Sequence, residues 1–178
     1  HAITEIQPDV FDMSNRSVIL PIVPMFHANS WGIPFAAATV GAKLVFSATN
    51  DAQVLCDLMH AEGVTHSAGV PTVWLAMFGH MDATGIDYGK LQRVIIGGSA
   101  APRAMIERFM KAGVEVAHAW GMTETSPIGT MGKRPWNWDA MSFDEQVDVV
   151  CRQGCPPFGV ELRIVDDEDN ELPRDGVT

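Results

Sequence analysis

Glu115-Val116-Ala117-His118-Ala119-Trp120-Gly121-Met122-Thr123-Glu124-Thr125-Ser126-Pro127 joins a short apolar run to a polar turn, and the order of those parts decides the fold. Glu115 to Trp120 reads as a strand, and Gly121 breaks it where a side chain would obstruct the close approach of a ligand. Hydroxyls and a carboxylate therefore emerge at a strand's carboxyl end, which is where open α/β sheets bind their ligands. Thr123 and Thr125 can donate to phosphate oxygens, and Glu124 is a hard oxygen ligand suited to magnesium. The same residues also suit a Thr/Ser-rich turn that caps a helix, with Glu124 as an exposed first-turn carboxylate. Residue types and spacing alone leave these two readings level.

Upstream of this turn, apolar runs suited to buried strands alternate with helical periods, the pattern of an α/β fold whose mostly parallel sheet is flanked by helices. Val18-Ile19-Leu20 begins a strand, and Pro21 and Pro24, which lack ladder donors, send the chain to an edge or a loop before His27. Trp31 to Thr39 reads as a helix and Lys43 to Phe46 as a strand. Asp51 is a good N-cap for a helix with Val54, Leu55, Leu58 and Met59 on one face and Gly63 as its stop. Thr65 to Val70 is a strand, and Pro71 opens a helix that carries Trp74, Met77, Phe78 and Met81 on one side. Asp82 to Gly89 is a loop. Leu91 to Ile96 is a strand running into Gly97-Gly98-Ser99, and Pro102 opens a helix with Met105, Ile106, Phe109 and Met110 inside, ending at Gly113. Gly129 to Asp139 has little periodicity and reads as a loop, an ordinary surface excursion anchored by Trp136 and Trp138 in preference to the lining of a pocket mouth.

With 178 residues, 47% hydrophobic and 19% charged, the chain is long enough for one sizeable core and is globular in composition. Its net charge of −10 argues against nucleic acid or an anionic membrane surface as partner. Cys56, Cys151 and Cys155 give no disulfide framework and suit a reducing cytoplasm. The apolar stretch from Val18 to Val45 is interrupted by Pro21, Pro24, His27, Asn29 and Pro34, so integral membrane contact is not expected. Asp166-Asp167-Glu168-Asp169-Asn170 is an acidic tip without the glycine and closing glutamate of an EF-hand. Both ends read as cut: His1 opens without an initiator Met, and Gly176-Val177-Thr178 follow an acidic turn with no boundary signal.

Trp120-Gly121-Met122-Thr123-Glu124-Thr125-Ser126-Pro127 resembles the adenylate-binding signature of the acyl-adenylate-forming superfamily, which includes acyl-CoA synthetases, peptide-synthetase adenylation domains and luciferases. Gly97-Gly98-Ser99-Ala100-Ala101-Pro102 and Pro24-Met25-Phe26-His27-Ala28-Asn29-Ser30-Trp31-Gly32 match two further segments in the family's order. Gln153 to Val165, with Gly154, Pro156, Pro157, Gly159 and a strand over 161–165, resembles the family's next segment. The chain then corresponds to the middle part of the family's amino-terminal domain, with residues 1–127 as an α/β part and 128–178 as a loop and β-rich part.

The resemblance implies an AMP-forming acyl-CoA synthetase that uses ATP, Mg2+ and coenzyme A. In such enzymes a carboxylate attacks the α-phosphate of ATP, and a thiol then displaces AMP from the acyl-adenylate. By resemblance, Thr123 bonds the α-phosphate, Glu124 holds magnesium, and His27 lies near the reacting carboxylate. Gly98, Ser99, Ala100, Ala101 and Pro102 form the adenine slot, continued by Ala119, Trp120, Gly121, Met122 and Thr123, with Trp120 against the ring. His27, Trp31, Gly32, Gly98 and Gly121 would line the acyl pocket, Trp31 and Gly32 one helical turn beyond His27. The Trp31 indole would shorten that pocket toward a short or medium carboxylic acid, and His-Ala-Asn-Ser-Trp is similar to the subgroup that includes methylmercaptopropionate-CoA ligases. The family's phosphate loop, Tyr-x-Thr-Gly-Asp motif, hinge and lysine-bearing domain are missing, so the implied fragment is inactive alone. The alternatives are an AMP-binding module or a structural fragment without catalysis. A homodimer is left open.

Overall fold

Val18–Pro21 (β1), Lys43–Leu44 (β2), His66–Gly69 (β3), Arg93–Ile96 (β4) and Glu115–Gly121 (β5) lie parallel in one sheet, and Ile128–Met131 (β6) joins its edge antiparallel to β5. The strand order is β2-β1-β3-β4-β5-β6. These positions come from a computed structural model that describes residues 2–8 and 10–175; residues 1 and 176–178, on which the reading of cut ends rests, lie outside the described residues. The helices are Ala2–Glu5 (α1), Ala28–Trp31 (α2), Ile33–Val40 (α3), Ala52–Glu62 (α4), Pro71–Thr84 (α5), Arg103–Lys111 (α6) and Phe143–Cys151 (α7).

Strand side chains alternate between two buried layers. Leu20, Val94 and Ile96 pack with Trp74, Met77 and Phe109 beneath α4, α5 and α6, whereas Ile19, Ala68, Ile95 and Ala117 pack with Phe11, Ile33 and Met131 beside α3. The chain thus crosses one face between β1 and β2 and the other face after β3 and β4. Strand order reverses between β1 and β3, and in such sheets the crevice at the reversal is the favoured ligand position. Trp74 anchors the first layer: it is fully buried, its Nε1 donates to the Gly69 carbonyl at 3.2 Å, and Phe109 meets it edge-on at 5.1 Å.

Asp51 caps α4 by accepting from the Val54 amide at 3.1 Å, and Gly63 ends the helix at φ 64°. Asp51→Ala is expected to lower the unfolding free energy by about 1 kcal/mol, measured by urea titration of the full-length protein. Leu55 and Met59 are buried as the spacing predicts, but Val54 turns outward and Cys56 takes its place in the core.

The proline in β1 has a simple physical account. Ser17 and Ile19 bond toward β2, whereas Val18 and Ile22 bond toward β3. Pro21 shares the side of Ser17 and Ile19, where β2 has already ended, so its missing donor leaves no ladder gap in a central strand. The strand expected over Lys43–Phe46 stops at Leu44, and Phe46 is exposed. Right-handed helix begins at Ile33 instead of Trp31.

Beyond Pro127 the expected loop opens with β6, whose Gly129 obscures a buried strand that pairs with β5. Ser142 and Glu145 form a capping box that starts α7, and Val147 and Val150 pack on Ile106 of α6. The strand expected over 161–165 is reduced to a bridge between Val165 and Glu171, because no neighbouring strand among the described residues pairs with it.

Candidate functional site

β5 continues through Gly121, which sits where no side chain fits: a Cβ there would stand well inside contact distance of the Pro127 carbonyl. The absence of that atom lets β6 fold back onto β5. Trp120 needs the same allowance from Gly129, whose missing Cβ leaves room for the indole. Between the two strands Thr123–Thr125 forms a single 3-10 turn. The Met122 amide donates to Thr125 Oγ1 at 2.9 Å, and the Thr125 hydroxyl donates to the Pro127 carbonyl at 2.6 Å. Thr125 is therefore committed to the turn and is not free to donate to a phosphate. Thr123 and Glu124 stay exposed on its outer side.

The facing wall comes from α2 and the end of β4. Ala28, Asn29, Ser30 and Trp31 have φ of 46°, 52°, 53° and 57°, so α2 is one left-handed turn. Each such residue costs about 1–2 kcal/mol relative to right-handed backbone. The turn is held by Ser30, fully buried, whose hydroxyl donates to the Val23 carbonyl at 2.7 Å. The spacing of one right-handed turn expected between His27 and Trp31 is thus replaced by a left-handed one, which directs both side chains to the same cavity. The Trp31 indole lies over Gly97 and Gly98: a Cβ on either would approach the ring to 3.4 and 3.7 Å, and Gly98 has φ 78°.

These walls enclose a cavity of about 410 Å³ at the carboxyl ends of β4 and β5. His27 and Trp31 line it from α2 and its approach, Gly98 from the end of β4, and Ala119 to Glu124 from β5 and the turn. Ser99, Ala100, Ala101 and Pro102 stand outside this lining, on the loop that leads to α6. Gly32 is also behind the wall, because a Cβ there would lie 2.7 Å from Glu5 Oε1. Glu5 takes the lining position that resemblance assigns to Gly32.

Two residues were not legible as part of this region. Glu5 is 1% exposed, both of its carboxyl oxygens are buried without a hydrogen-bond partner among the described residues, and burial pushes its pKa up to about 8. In the sequence it is one glutamate in Ala2-Ile3-Thr4-Glu5-Ile6, with nothing to separate it from an exposed helical position. His118 is 2% exposed and joins two elements: its Nε2 accepts from the Ala101 amide at 3.3 Å, and its Nδ1 lies 3.1 Å from the Cys151 carbonyl. Those partners require a neutral ring with the proton on Nδ1, and burial lowers its pKa in the same sense. The histidine ties the loop after β4 to the end of α7. Its strand position was the available signal, since it alternates with Ala117 of the opposite layer.

Among the described residues no three His, Cys, Asp or Glu side chains come together as a metal site. Asp166 Oδ1 instead accepts from the amides of Glu168 and Asn170, so the acidic tip is an ordinary turn. No helix of the described residues is long and apolar enough to cross a membrane.

The whole chain, residues 1–178, matches the family described as AMP-binding enzyme. It is 47% identical over 178 residues to the medium-chain-fatty-acid–CoA ligase of Ectopseudomonas oleovorans, which covers 99% of this chain and 33% of that protein. It is 42% identical to the 3-methylmercaptopropionyl-CoA ligase of Ruegeria lacuscaerulensis, across 100% of this chain and 33% of that one. The chain therefore spans about one third of the length of these curated relatives. Its fold is similar to the crystal structure of a long-chain-fatty-acid-CoA ligase from Archaeoglobus fulgidus, with a TM-score of 0.78 at 21% identity over 96% of this chain and 34% of that one. A parallel sheet whose strand ends carry the Gly97-Gly98 and Trp120-to-Pro127 turns around one cavity agrees with that match, and the chain belongs to the AMP-binding enzyme family.

Proposed function

We propose that the protein to which this chain belongs is an AMP-forming acyl-CoA synthetase, and that the chain supplies one wall of its adenylate site and of its acyl pocket. The observation that carries this reading is the convergence of Thr123, Glu124, His27 and Trp31 on one cavity at the carboxyl ends of β4 and β5. The names of the relatives point the same way. The reaction joins two anions, a carboxylate and ATP, so it needs alignment and charge neutralisation more than proton transfer. Thr123 would donate its hydroxyl to the α-phosphate and His27 would orient the attacking carboxylate, while Gly97 and Gly98 leave room for the Trp31 ring that would wall the acyl pocket.

Magnesium fits the donor set present. It binds proteins through one or two carboxylates and completes its shell with water and substrate phosphates, and Glu124 is an exposed single carboxylate on the cavity wall. When bound, the ion would supply positive charge at the phosphates in a chain whose net charge is −10. The acceptor is coenzyme A, the setting is the cytoplasm, and the Trp31 indole favours a short or medium acid.

The test is ATP–pyrophosphate exchange by the full-length protein against a panel of carboxylic acids. Acid-dependent exchange is expected, and exchange that proceeds equally without an acid overturns the reading. Glu124→Ala is expected to reduce acid-dependent exchange by at least the ten- to hundredfold that loss of even an outer partner of a metal typically costs. Wild-type exchange in that variant removes Glu124 from the site.

A further inference from the structure

The loop of residues 97–102 leaves the sheet at the carboxyl end of β4, where α/β sheets bind ligands, and it is held at two points. At the first, Ile96 pairs with His118 in the ladder, and Gly97 packs so closely on β5 that a Cβ there would lie 3.1 Å from the Ala119 carbonyl. Gly98, Ser99 and Ala100 are then exposed, and the chain returns at Ala101, whose amide donates to His118 Nε2 at 3.3 Å. The same ring donates from Nδ1 to the Cys151 carbonyl at the end of α7, 3.1 Å away, and the residue is 2% exposed. Just beyond the loop Arg103 pairs with Glu107 at 3.0 Å, with Asp144 at 3.5 Å and with Asp148, but these are surface ion pairs, which contribute little. The buried ring is therefore what fixes the second end of the loop.

We propose that His118 is a positioning residue for the nucleotide: by seating the Ala101 amide it holds residues 99–102 in the shape that receives the nucleotide's base. The inference rests on the adenylate-site reading given above. Loss of the bond leaves Gly97 and Gly98 in place, because the ladder and Ala119 hold them, and with them the Trp31 ring that lies over both. The part released is residues 99–102, which stand outside the cavity that His27 and Trp31 share. Nucleotide binding suffers and acid binding does not. The role asks for an acceptor at Nε2 and a donor at Nδ1, which one neutral tautomer supplies. An asparagine ends at the level of Nδ1 and can still donate to Cys151, but falls short of Ala101. A glutamine extends to the level of Nε2 and can accept from Ala101.

The experiment compares the full-length wild type with His118→Asn, His118→Gln and Arg103→Ala by ATP–pyrophosphate exchange, using one acid that supports it. His118→Asn is expected to raise KM for ATP about tenfold, because losing the bond lowers the share of loop seated for binding by about that factor. KM for the acid and kcat should stay near wild type, the pattern of lost ground-state binding. His118→Gln and Arg103→Ala should both keep the wild-type KM for ATP. An unchanged KM for ATP in His118→Asn overturns the assignment. Equal rises in KM for ATP and for the acid, or loss of folding, would make His118 a core residue and overturn it as well. A rise in His118→Gln as large as that in His118→Asn would show that the bond to Ala101 is not the cause. The same rise in Arg103→Ala would hand the loop to the surface ion pairs, and either result sinks the proposal. Absence of acid-dependent exchange in the wild type would instead overturn the ligase reading on which the inference stands.

Discussion

Gly121→Ala is expected to destabilise the full-length protein by about 3 kcal/mol or more and to reduce acid-dependent exchange by at least a hundredfold, to roughly the level of background. The reason is local and steric. The added methyl would overlap the Pro127 carbonyl, a backbone atom with no rotamer by which to escape. β6 would have to move off β5, breaking the register that sets Gly121 opposite Ile128 and Trp120 opposite Thr130. Thr123 and Glu124 hang on the turn between those strands and would be displaced with it. Thermal melts and ATP–pyrophosphate exchange on the same preparation check both halves. A variant with wild-type melting and exchange would show that the turn tolerates the methyl and that the tight packing of Gly121 does not hold the site.

The second large effect concerns pH. Glu5 has a pKa of about 8 in the folded chain, against 4.5 for the ordinary carboxyl. Between those values the native state binds more protons than the unfolded state, so stability falls as pH rises. The contribution of Glu5 is fully present below about pH 4.5, and is lost progressively until ionisation in the folded state near pH 8. Integrated over that window it is roughly 5 kcal/mol as an upper bound. Glu5→Gln, which cannot ionise, is expected to remove most of the decline, so that the variant is the more stable protein at pH 8 and differs little at pH 5. Urea titrations at the two values measure it. The other titratable side chains on the cavity wall, His27 and Glu124, are exposed and remain in both proteins, so the difference between wild type and variant isolates Glu5. Parallel declines in the two proteins would mean that Glu5 reaches water or a partner in the full-length fold.

The sheet was readable because its strands are short apolar runs bounded by glycine and proline, and because Asp51, Gly63 and Pro71 announce helix ends by their own chemistry. Three features depend on contacts between segments that local spacing does not disclose. Gly129 hid β6, since a strand that must make room for the Trp120 ring cannot carry a side chain there. The left-handed α2 was invisible because only Asn29 of its four residues commonly adopts left-handed backbone; Ser30 is held by a bond to Val23 that no local spacing discloses. Glu5 could not be singled out because its burial depends on α1 meeting α3 and the Pro127 turn, contacts between segments distant in the chain. The Trp120-to-Pro127 run, by contrast, pointed to the right end of the right strand. It overstated Thr125, whose hydroxyl closes the turn.

The left-handed turn at Ala28–Trp31 separates two kinds of evolutionary change. Trp31 projects from a segment outside the sheet ladder, whereas Thr123 and Glu124 hang on the β5–β6 turn. A lineage could therefore replace the indole to admit a different acid while the phosphate-facing turn and its register stay untouched. Ser30 is what makes that freedom available, because its buried hydroxyl, rather than the residue at 31, keeps the turn wound. Substrate range can drift on one segment while the chemistry is inherited on another.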